Sequence, residues 1–321
     1  MLRKGLQLLA ALSLSLAAAS VSAQSFPARP IKVVSPFPAG GATDVLTRLL
    51  TERMAKDLGQ PMIVENKAGA GTSIGAAYVA RENPDGYTLL MATNSTLVTN
   101  RYLYKELPYD PDSFVPIGMV GIGPLVLLAS PKHGFKSTQD IVAYAKQHPG
   151  KLTFATFGAG TSSHLAAELF KKQAGIDILH VPFKGATQAL PALISGDVDL
   201  FFDMVATGMP QAEAGKIDVF AITSPTRLAT LPKLATLTEQ GYPNEMTAWF
   251  TFVAPHGTPE AVRARLEQAL QATLKDETVR AKMLAMGIDP RSGTAQELTT
   301  QMKNEQPVVS QLIKQANIVL Q

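Results

Sequence analysis

The sequence predicts an α/β protein built from two similar lobes. Short apolar strands alternate with amphipathic helices, and one series of strand, glycine-rich turn and helix occurs twice along the chain. Strands that alternate with helices form parallel sheets, because each helix returns the chain to the start of the next strand. At 321 residues the chain is long enough for two such units.

The first series contains three apolar strands, each followed by a turn or loop of small and polar residues. They are residues 31–34 before the turn at 36–41, residues 62–65 before the loop at 66–73, and residues 87–91 before the polar tip at 92–96. The first turn opens directly onto an amphipathic helix, which ends before Gly59. Such a turn leaves helix N–H groups without intrahelical partners.

The second series repeats this layout in the same order. Its strands are residues 152–155 before the turn at 156–161, residues 178–182 before the loop at 183–187, and residues 197–203 ending at Asp203-Met204. The loop with Lys67 corresponds to that with Lys184, and the tip Thr93-Asn94-Ser95 corresponds to Asp203-Met204. The match lies in the layout and predicts two lobes of like construction.

Two further apolar segments connect the lobes. Residues 114–120 and 124–129 are separated by Gly121-Ile122-Gly123, and residues 247–254 form a later strand. We expect 124–129 and 247–254 to cross between the lobes. Lobe 1 is then discontinuous, with residues 24–123 and 251–321, and lobe 2 contains residues 124–250.

The N-terminus predicts secretion. Arg3 and Lys4 precede an apolar run, and Val21-Ser22-Ala23 ends in a small-x-small pattern, so residues 1–23 resemble a signal peptide cleaved after Ala23. The absence of cysteine excludes disulfides, thiolate metal sites and a lipid-anchored cysteine. These features favour the periplasm. Removal of the peptide lowers the formal net charge from +3 to +1, which gives no electrostatic case for nucleic acid or an anionic membrane.

The glycine turns predict a site for an anion. Ligands of parallel α/β sheets bind outside the carboxyl ends of the strands, where these turns lie. Helix N-termini that follow Gly41 and Gly160 would face each other if the lobes do. Each offers free N–H groups and roughly 0.3–1 kcal/mol of dipole stabilisation to an anion.

Two enzyme motifs compete with this interpretation. Gly71-Thr72-Ser73-Ile74-Gly75 matches the G-x-S-x-G pattern of serine hydrolases, but Lys67–Ala70 separates Ser73 from the preceding strand. The glycine spacing 69, 71, 75 does not fit a dinucleotide fingerprint. No histidine or carboxylate cluster has metal-ligand spacing, so we expect neither metal nor cofactor.

Four residues with polar side chains are candidates for the site or its surroundings, and two of them have two interpretations. His164, in the first turn of its helix, either donates to a ligand or caps and packs its own helix. Asp44 either caps its helix or orients a ligand amine or hydroxyl. Asp203 ends a strand, where it has no capping role, so we expect it in the cleft. Trp249, the single tryptophan, is expected to pack near a crossing.

The motifs resemble those of the Bug family, the extracytoplasmic solute receptors of tripartite tricarboxylate transporters. The resemblance covers essentially the whole mature chain and is carried by Pro36-Phe37-Pro38-Ala39-Gly40-Gly41-x-x-Asp44, Glu65-Asn66-Lys67-x-Gly69-Ala70-Gly71, Pro84-Asp85-Gly86-Tyr87-Thr88-Leu89, Leu107-Pro108-Tyr109-Asp110, Gly158-x-Gly160-Thr161-Ser162-x-His164-Leu165, Val181-Pro182-Phe183-Lys184-Gly185 and Ala254-Pro255-x-Gly257-Thr258-Pro259.

The resemblance implies a type II periplasmic-binding-protein fold that closes over a small carboxylate, held largely by backbone N–H groups and water. One wall would be Phe37, Ala39, Gly40, Gly41, Asp44, Gly71, Thr72, Ser73, Asn94, Ser95 and Thr96. The opposing wall would be Thr156, Gly158, Gly160, Thr161, Ser162, His164, Lys184, Gly185, Ala186, Asp203 and Met204. Phe157 stands where a smaller residue or proline is expected.

The predicted function is therefore a monomeric periplasmic receptor that captures an organic anion and docks on a membrane permease. A sensory protein that signals to a membrane partner has the same sequence features. A secreted hydrolase that uses Ser73 is the alternative from another class.

Overall fold

The computed structural model describes residues 26–316, so the expected signal peptide lies outside the described residues. The first part of the chain forms β1 Ile31–Ser35, α1 Ala42–Leu58, β2 Met62–Asn66, α2 Ser73–Ala80, β3 Thr88–Thr93, α3 Asn100–Leu103 and β4 Phe114–Ala129. The second part forms α4 Thr138–Gln147, β5 Thr153–Thr156, α5 Ser162–Ala174, β6 Leu179–Pro182, α6 Ala186–Ser195, β7 Leu200–Met204, α7 Val205–Glu213 and β8 Asp218–Ile222. The chain then adds β9 Thr247–Pro255, α8 Glu260–Lys275, α9 Glu277–Ala285, β10 Asp289–Pro290 and α10 Ala295–Ala316.

Each half of the molecule is organised on three parallel strands in the same order. β1 lies between β2 and β3, and β5 lies between β6 and β7, with parallel pairing on both sides in each case. The order second, first, third therefore occurs twice, and the predicted pair of similar α/β lobes is confirmed. The antiparallel strands β9 and β4 join the two sets in the order β2-β1-β3-β9-β4-β7-β5-β6.

β4 is one continuous strand of 16 residues. It pairs with β9 from Phe114 to Pro124, with β7 from Leu125 to Ala129 and with β8 from Val126 to Ala129, so it passes from one half to the other. The interpretation of 121–123 as a break between two runs is wrong. Glycines in β4 instead admit close neighbours: a Cβ at Gly118 would lie 2.0 Å from the Gly293 carbonyl oxygen.

Thr223, a buried residue, joins the outgoing and returning segments where the halves meet. Its N–H donates to the Leu125 carbonyl at 2.9 Å, and its hydroxyl accepts from the Leu125 N–H at 2.8 Å. The same hydroxyl donates to the Met246 carbonyl at 2.6 Å. Leu125 lies in β4 and Met246 directly precedes β9, so one side chain is bonded to both crossings.

The helices pack on the sheet through stripes of apolar residues. In α1, Leu46, Leu50, Met54 and Leu58 recur every four residues and are buried. Burial of each such side chain contributes about 1.5–3 kcal/mol, and Gly59, at φ 70°, ends the helix. Among residues 26–316, no helix has the length and apolar content needed to cross a bilayer.

Candidate functional site

Four helices begin around one cavity between the two halves. α1, α5, α6 and α7 each follow a parallel strand, and residues from the start of each line a cavity with about 460 Å³ of atom-free space. The topology therefore directs four N-termini at one space between the two halves.

These four helix starts have no side-chain cap. The residues that precede the helices, Gly41, Thr161, Gly185 and Met204, make no capping hydrogen bond with their side chains. Thr161 has a hydroxyl suited to capping, but that hydroxyl donates to the Gly158 carbonyl at 2.7 Å. By contrast, a capping box closes α4 and Asp276 caps α9, both away from the cavity. The N–H groups at the cavity are free to bind an anion.

The cavity wall is mostly apolar and contains one ionisable side chain, Asp203. Within the described residues the wall contains no lysine, arginine or histidine. It is formed by Phe37, Pro38, Gly41, Ala42, Thr43, Thr93, Asn94, Ser95, Phe157, Ser162, Gly185, Ala186, Asp203, Met204, Thr207, Ala248 and Phe250.

Phe37 and Phe157 separate the cavity from a wider outer cleft. Their ring centroids are 6.3 Å apart at an interplanar angle of 77°, and both rings line both spaces. The outer cleft has about 1,030 Å³ of atom-free space. Phe157 also packs edge-on against Phe201 at 5.4 Å. The bulky ring at position 157 therefore narrows the entrance from the side of the second half.

Asp203 lies one residue before the end of β7 and is fully buried. Neither of its carboxylate oxygens has a hydrogen-bond partner among the described residues. Burial raises the pKa of Asp203 to about 7, and the nearby Thr207 hydroxyl and Met204 N–H oppose this rise without forming well-aligned hydrogen bonds. Asp203 was expected in the cleft because it has no capping role, and it lies in the cavity wall.

Asn94 is held in place by the C-terminal helix. Its Nδ2 donates to the Thr247 carbonyl and to Glu305 Oε1, each at 3.2 Å. The other carboxylate oxygen of Glu305 accepts a hydrogen bond from the indole of Trp249, which is fully buried. Burial raises the pKa of Glu305. Trp249 therefore lies two hydrogen bonds from a residue in the cavity wall.

The structure brings together part of the predicted site. Of the residues named from the resemblance, the cavity wall contains Phe37, Gly41, Asn94, Ser95, Ser162, Gly185, Ala186, Asp203 and Met204. The outer cleft contains Gly71, Thr72, Gly158 and Lys184. Neither space is lined by Ala39, Gly40, Asp44, Ser73, Thr96, Thr156, Gly160, Thr161 or His164.

Asp44 bonds its own turn. Its Oδ2 accepts from the Gly40 N–H at 2.9 Å, and its Oδ1 accepts from Asn66 Nδ2 at 2.8 Å. Arg48 donates to both oxygens at 3.1 Å. Burial opposes ionisation, but these bonds outweigh it and hold the pKa of Asp44 below its ordinary value. Of the two interpretations of Asp44, the geometry fits the local structural role.

His164 also makes its contacts with neighbouring residues outside the cavity. Its Nδ1 accepts from the Gly160 N–H at 3.1 Å, and its ring stacks on His180 at 4.0 Å. Burial lowers the pKa of His164 to about 3, with additional lowering from His180 and Lys171. A neutral, buried ring with this acceptor role fits the capping and packing interpretation.

The loop after β2, which lies against the second half of the molecule, contains a strained backbone conformation. Thr72 adopts φ 81°, which is unusual for a β-branched residue. Thr96 donates to the Thr72 hydroxyl at 2.9 Å, and Asn100 Nδ2 donates to the Gly71 carbonyl at 2.9 Å. The strain is sustained by buried hydrogen bonds at the edge of the outer cleft.

Ser73 lies beneath this loop in a buried position. Its hydroxyl accepts from Asn100 Nδ2 at 3.3 Å, and no hydrogen bond within residues 26–316 joins it to a histidine. A hydrolase needs a base beside its nucleophile. The arrangement gives no support to Ser73 as a nucleophile. Among the described residues no group of histidines and carboxylates could hold a metal ion.

Sequence reasoning missed several residues of the cavity wall, namely Pro38, Ala42, Thr43, Thr93, Phe157, Thr207, Ala248 and Phe250. The sequence could have predicted Ala42, Thr43 and Thr207, because they occupy the first turns of helices that follow predicted strands. Ala248 and Phe250 alternate along β9, but their side of the strand becomes evident only from its pairing with β4. At position 157 a smaller side chain was expected, and the phenylalanine ring fills that part of the entrance instead.

The fold and the cavity define a solute-binding protein of the periplasmic type. Residues 46–318 match the tripartite tricarboxylate transporter family receptor, TctC, and the chain belongs to this family. It is 36% identical over 276 residues to BugT of Bordetella pertussis, with 85% of each chain covered. It is 34% identical over 312 residues to a UPF0065 protein of the same species, with 96% of this chain and 97% of the relative covered. The resemblance to the Bug family is thus confirmed.

Solved structures agree with this assignment. The periplasmic binding protein BugD is 35% identical with a TM-score of 0.88, covering 92% of this chain and all of BugD. Rpa4515 of Rhodopseudomonas palustris, solved with adipate, is 33% identical with a TM-score of 0.89, covering 92% and 99%. MatC from the same organism, solved with malate, is 33% identical with a TM-score of 0.85, covering 90% and 100%. This chain is a receptor of the same periplasmic family.

Proposed function

We propose that this protein captures a small carboxylate-bearing metabolite in the inner cavity and delivers it to the membrane subunits of a tripartite tricarboxylate-type transporter. The observation that carries the proposal is the meeting of four uncapped helix N-termini at one cavity without a cationic side chain among its described residues. Adipate and malate in the relatives Rpa4515 and MatC support the carboxylate class.

The energetics require more than helix dipoles. Four N-termini contribute about 1–4 kcal/mol to binding of an anion if each gives roughly 0.3–1 kcal/mol. A micromolar ligand needs about 8 kcal/mol. Charge-assisted hydrogen bonds from the free N–H groups, each worth about 1.5–3 kcal/mol, supply the remainder. Because these N–H groups come from both halves, we propose that binding favours the closed arrangement.

We further propose the lobe boundaries 24–123 with 251–321, and 124–250, with the cavity between them. The protein is proposed to act as a monomer in the periplasm, after removal of residues 1–23, and to bind its ligand without chemical change. The residues of the cavity wall, together with the N–H groups of the four helix starts, are the proposed recognition surface.

The test is calorimetric titration of the mature protein with dicarboxylates, amino acids and aromatic acids, with Trp249 emission recorded in parallel. We expect binding of at least one carboxylate and a change in emission. Native mass spectrometry of the purified protein would identify any retained ligand and the oligomeric state. No binding across the panel together with no retained ligand would refute the proposal. Ester hydrolysis lost in Ser73→Ala would favour the hydrolase instead.

A further inference from the structure

The inner cavity has four buried polar atoms without hydrogen-bond partners in the described part of the chain, and three of them are carboxylate or amide oxygens. Both oxygens of Asp203, the side-chain oxygen of Asn94 and the hydroxyl of Thr93 are buried and unpaired among the described residues. Buried polar groups normally have partners, and an unpaired one costs about 1–3 kcal/mol. These groups belong to strand ends from both halves. The ligand is therefore the natural source of their missing donors.

The orientation of Asn94 follows from its neighbours. A backbone carbonyl can only accept, so the group that contacts the Thr247 oxygen at 3.2 Å must be the amide nitrogen. The second contact of that nitrogen, with Glu305 Oε1 at 3.2 Å, uses its other hydrogen. The Asn94 oxygen is left as an acceptor in the cavity wall.

The charge of Asp203 limits what can bind beside it. The carboxyl is fully buried, and the described wall offers no lysine, arginine or histidine to pair with it. A buried charge is stable only when it is paired and hydrogen-bonded. A second carboxylate next to an ionised Asp203 would add repulsion, whereas an ammonium group would supply both the opposite charge and up to three donors.

We infer that the ligand is an amino carboxylate, whose carboxylate binds the helix N-termini and whose protonated amine binds Asp203 with Asn94 as a second acceptor. This inference rests on the proposed function and narrows its ligand class. The ammonium of such a ligand pairs with the Asp203 carboxylate, so that this charge is not left unpaired in a mostly apolar cavity.

The test uses matched pairs of probes that differ by one amine: L-aspartate against succinate, L-glutamate against glutarate, and 4-aminobutanoate against butanoate. Calorimetry at pH 8 should show at least one amino compound bound about ten-fold or more tightly than its partner. Asp203→Asn should weaken that amino compound at least ten-fold, which corresponds to about 1.4 kcal/mol. Binding of the nitrogen-free acids should be unchanged or stronger in this variant.

Asp197→Asn is the matched control, because Asp197 is exposed and lies outside the cavity wall. It should leave every affinity unchanged. If Asp203→Asn fails to fold, the wild-type protein still tests the inference. Asp203 is the one ionisable side chain in the described wall, so affinity for the amino compound should rise from pH 6 to pH 8.

Two outcomes separate the inference from the proposed function. If succinate, glutarate or butanoate binds and no amino compound binds more tightly, the inference is wrong and the carboxylate receptor stands. An amino-compound affinity that is the same in wild type and Asp203→Asn also overturns the inference. If none of these six probes binds, the inference is wrong, and the wider panel with native mass spectrometry decides the proposed function separately.

Discussion

Gly71, in the loop after β2, lies directly against the backbone carbonyl of Ala159 in the turn after β5. A Cβ built at Gly71 would be 2.4 Å from the Ala159 oxygen, which is closer than real Cβ contacts allow. Gly71 comes from the first half of the molecule and Ala159 from the second. This contact between the halves thus depends on the absence of a methyl group at position 71.

Gly71→Ala should therefore oppose closure. We expect carboxylate affinity to fall at least ten-fold, because the halves cannot approach fully. Small-angle scattering should show that the ligand no longer reduces the radius of gyration. Gly215→Ala is the control: Gly215 also has positive φ, at 68°, but no atom lies within 4 Å of a Cβ placed on it. Both variants lose about 1 kcal/mol of stability through the backbone conformation. Equal affinities in the two variants would contradict the prediction.

The contact between Asn94 and Glu305 predicts an effect of the C-terminal helix on binding. In Glu305→Ala, the Trp249 indole and one Asn94 donor lose their acceptor, which should cost about 2–3 kcal/mol of unfolding free energy. Asn94 should lose its fixed orientation, so affinity should fall several-fold and Trp249 emission should shift. Glu305→Gln keeps one acceptor oxygen for these two donors and should restore part of the affinity. Calorimetry and fluorescence of wild type and the two variants measure this effect. If Glu305→Gln binds the ligand as weakly as Glu305→Ala, the proposed role of the Glu305 acceptor is wrong.

Asp203 predicts a pH dependence of ligand-free stability. Its pKa is about 7 in the folded protein against an ordinary value of 3.8. The contribution of Asp203 to the free energy of unfolding is fully present below pH 3.8 and is lost as pH rises through 7, because ionisation of the carboxyl is unfavourable in the folded state. The loss should reach about 4 kcal/mol by pH 8, because the two pKa values differ by about 3 units at about 1.4 kcal/mol per unit.

Urea denaturation of ligand-free wild type and Asp203→Asn from pH 4 to pH 8 measures this contribution. The difference between the two curves removes the effect of other titrating groups. The variant should gain stability relative to wild type as pH rises. Parallel curves would show that Asp203 does not titrate in this range.

His164 predicts that the free energy of unfolding falls as the pH is lowered, which is opposite to the effect of Asp203. Its pKa falls to about 3, and that of the stacked His180 falls to about 4, in both cases chiefly because of burial. Glu168 lies 3.8 Å from the His164 ring but also pairs with Lys171 at 3.0 Å, which limits its help to a protonated ring. A lowered folded pKa gives stability that is complete above pH 6.5 and is lost as pH falls.

We expect wild type to lose about 2–3 kcal/mol from His164 between pH 6.5 and pH 4.5. His164→Asn keeps an acceptor near Gly160 and should flatten this slope, although loss of the stacked ring lowers stability at neutral pH. His256→Asn removes an exposed histidine and should retain the wild-type slope. Thermal denaturation across this range is sufficient, and a wild-type slope in His164→Asn would disprove the assignment.

The repeated strand, turn and helix pattern was sufficient to predict the fold, because glycine turns at strand ends are local features. The pattern also located the strand ends that carry Asn94 and Asp203. In contrast, the continuity of β4 was missed. Gly121 and Gly123 look like a break in the sequence, whereas their role is to admit Ile288 and Met204 at close range.

The site was harder to predict because side-chain partners are not visible in a single sequence. Asp44 and His164 belong to the same motifs as residues in the cavity wall, but each is satisfied within its own turn by Gly40 and Gly160 respectively. Phe250 reaches the cavity only because β9 pairs between β3 and β4. The sequence motifs thus identified the turns that surround the cavity, but not which side chains in those turns remain available to a ligand.

The bonds of Thr223 have a mechanical consequence. One hydroxyl oxygen holds the Leu125 amide and the Met246 carbonyl together, so the two connecting segments cannot slide past each other without breaking a buried bond. They can still bend as a pair. We therefore expect opening of the cleft to be rotation about a single axis near this residue, with one angle sufficient to describe every state between open and shut.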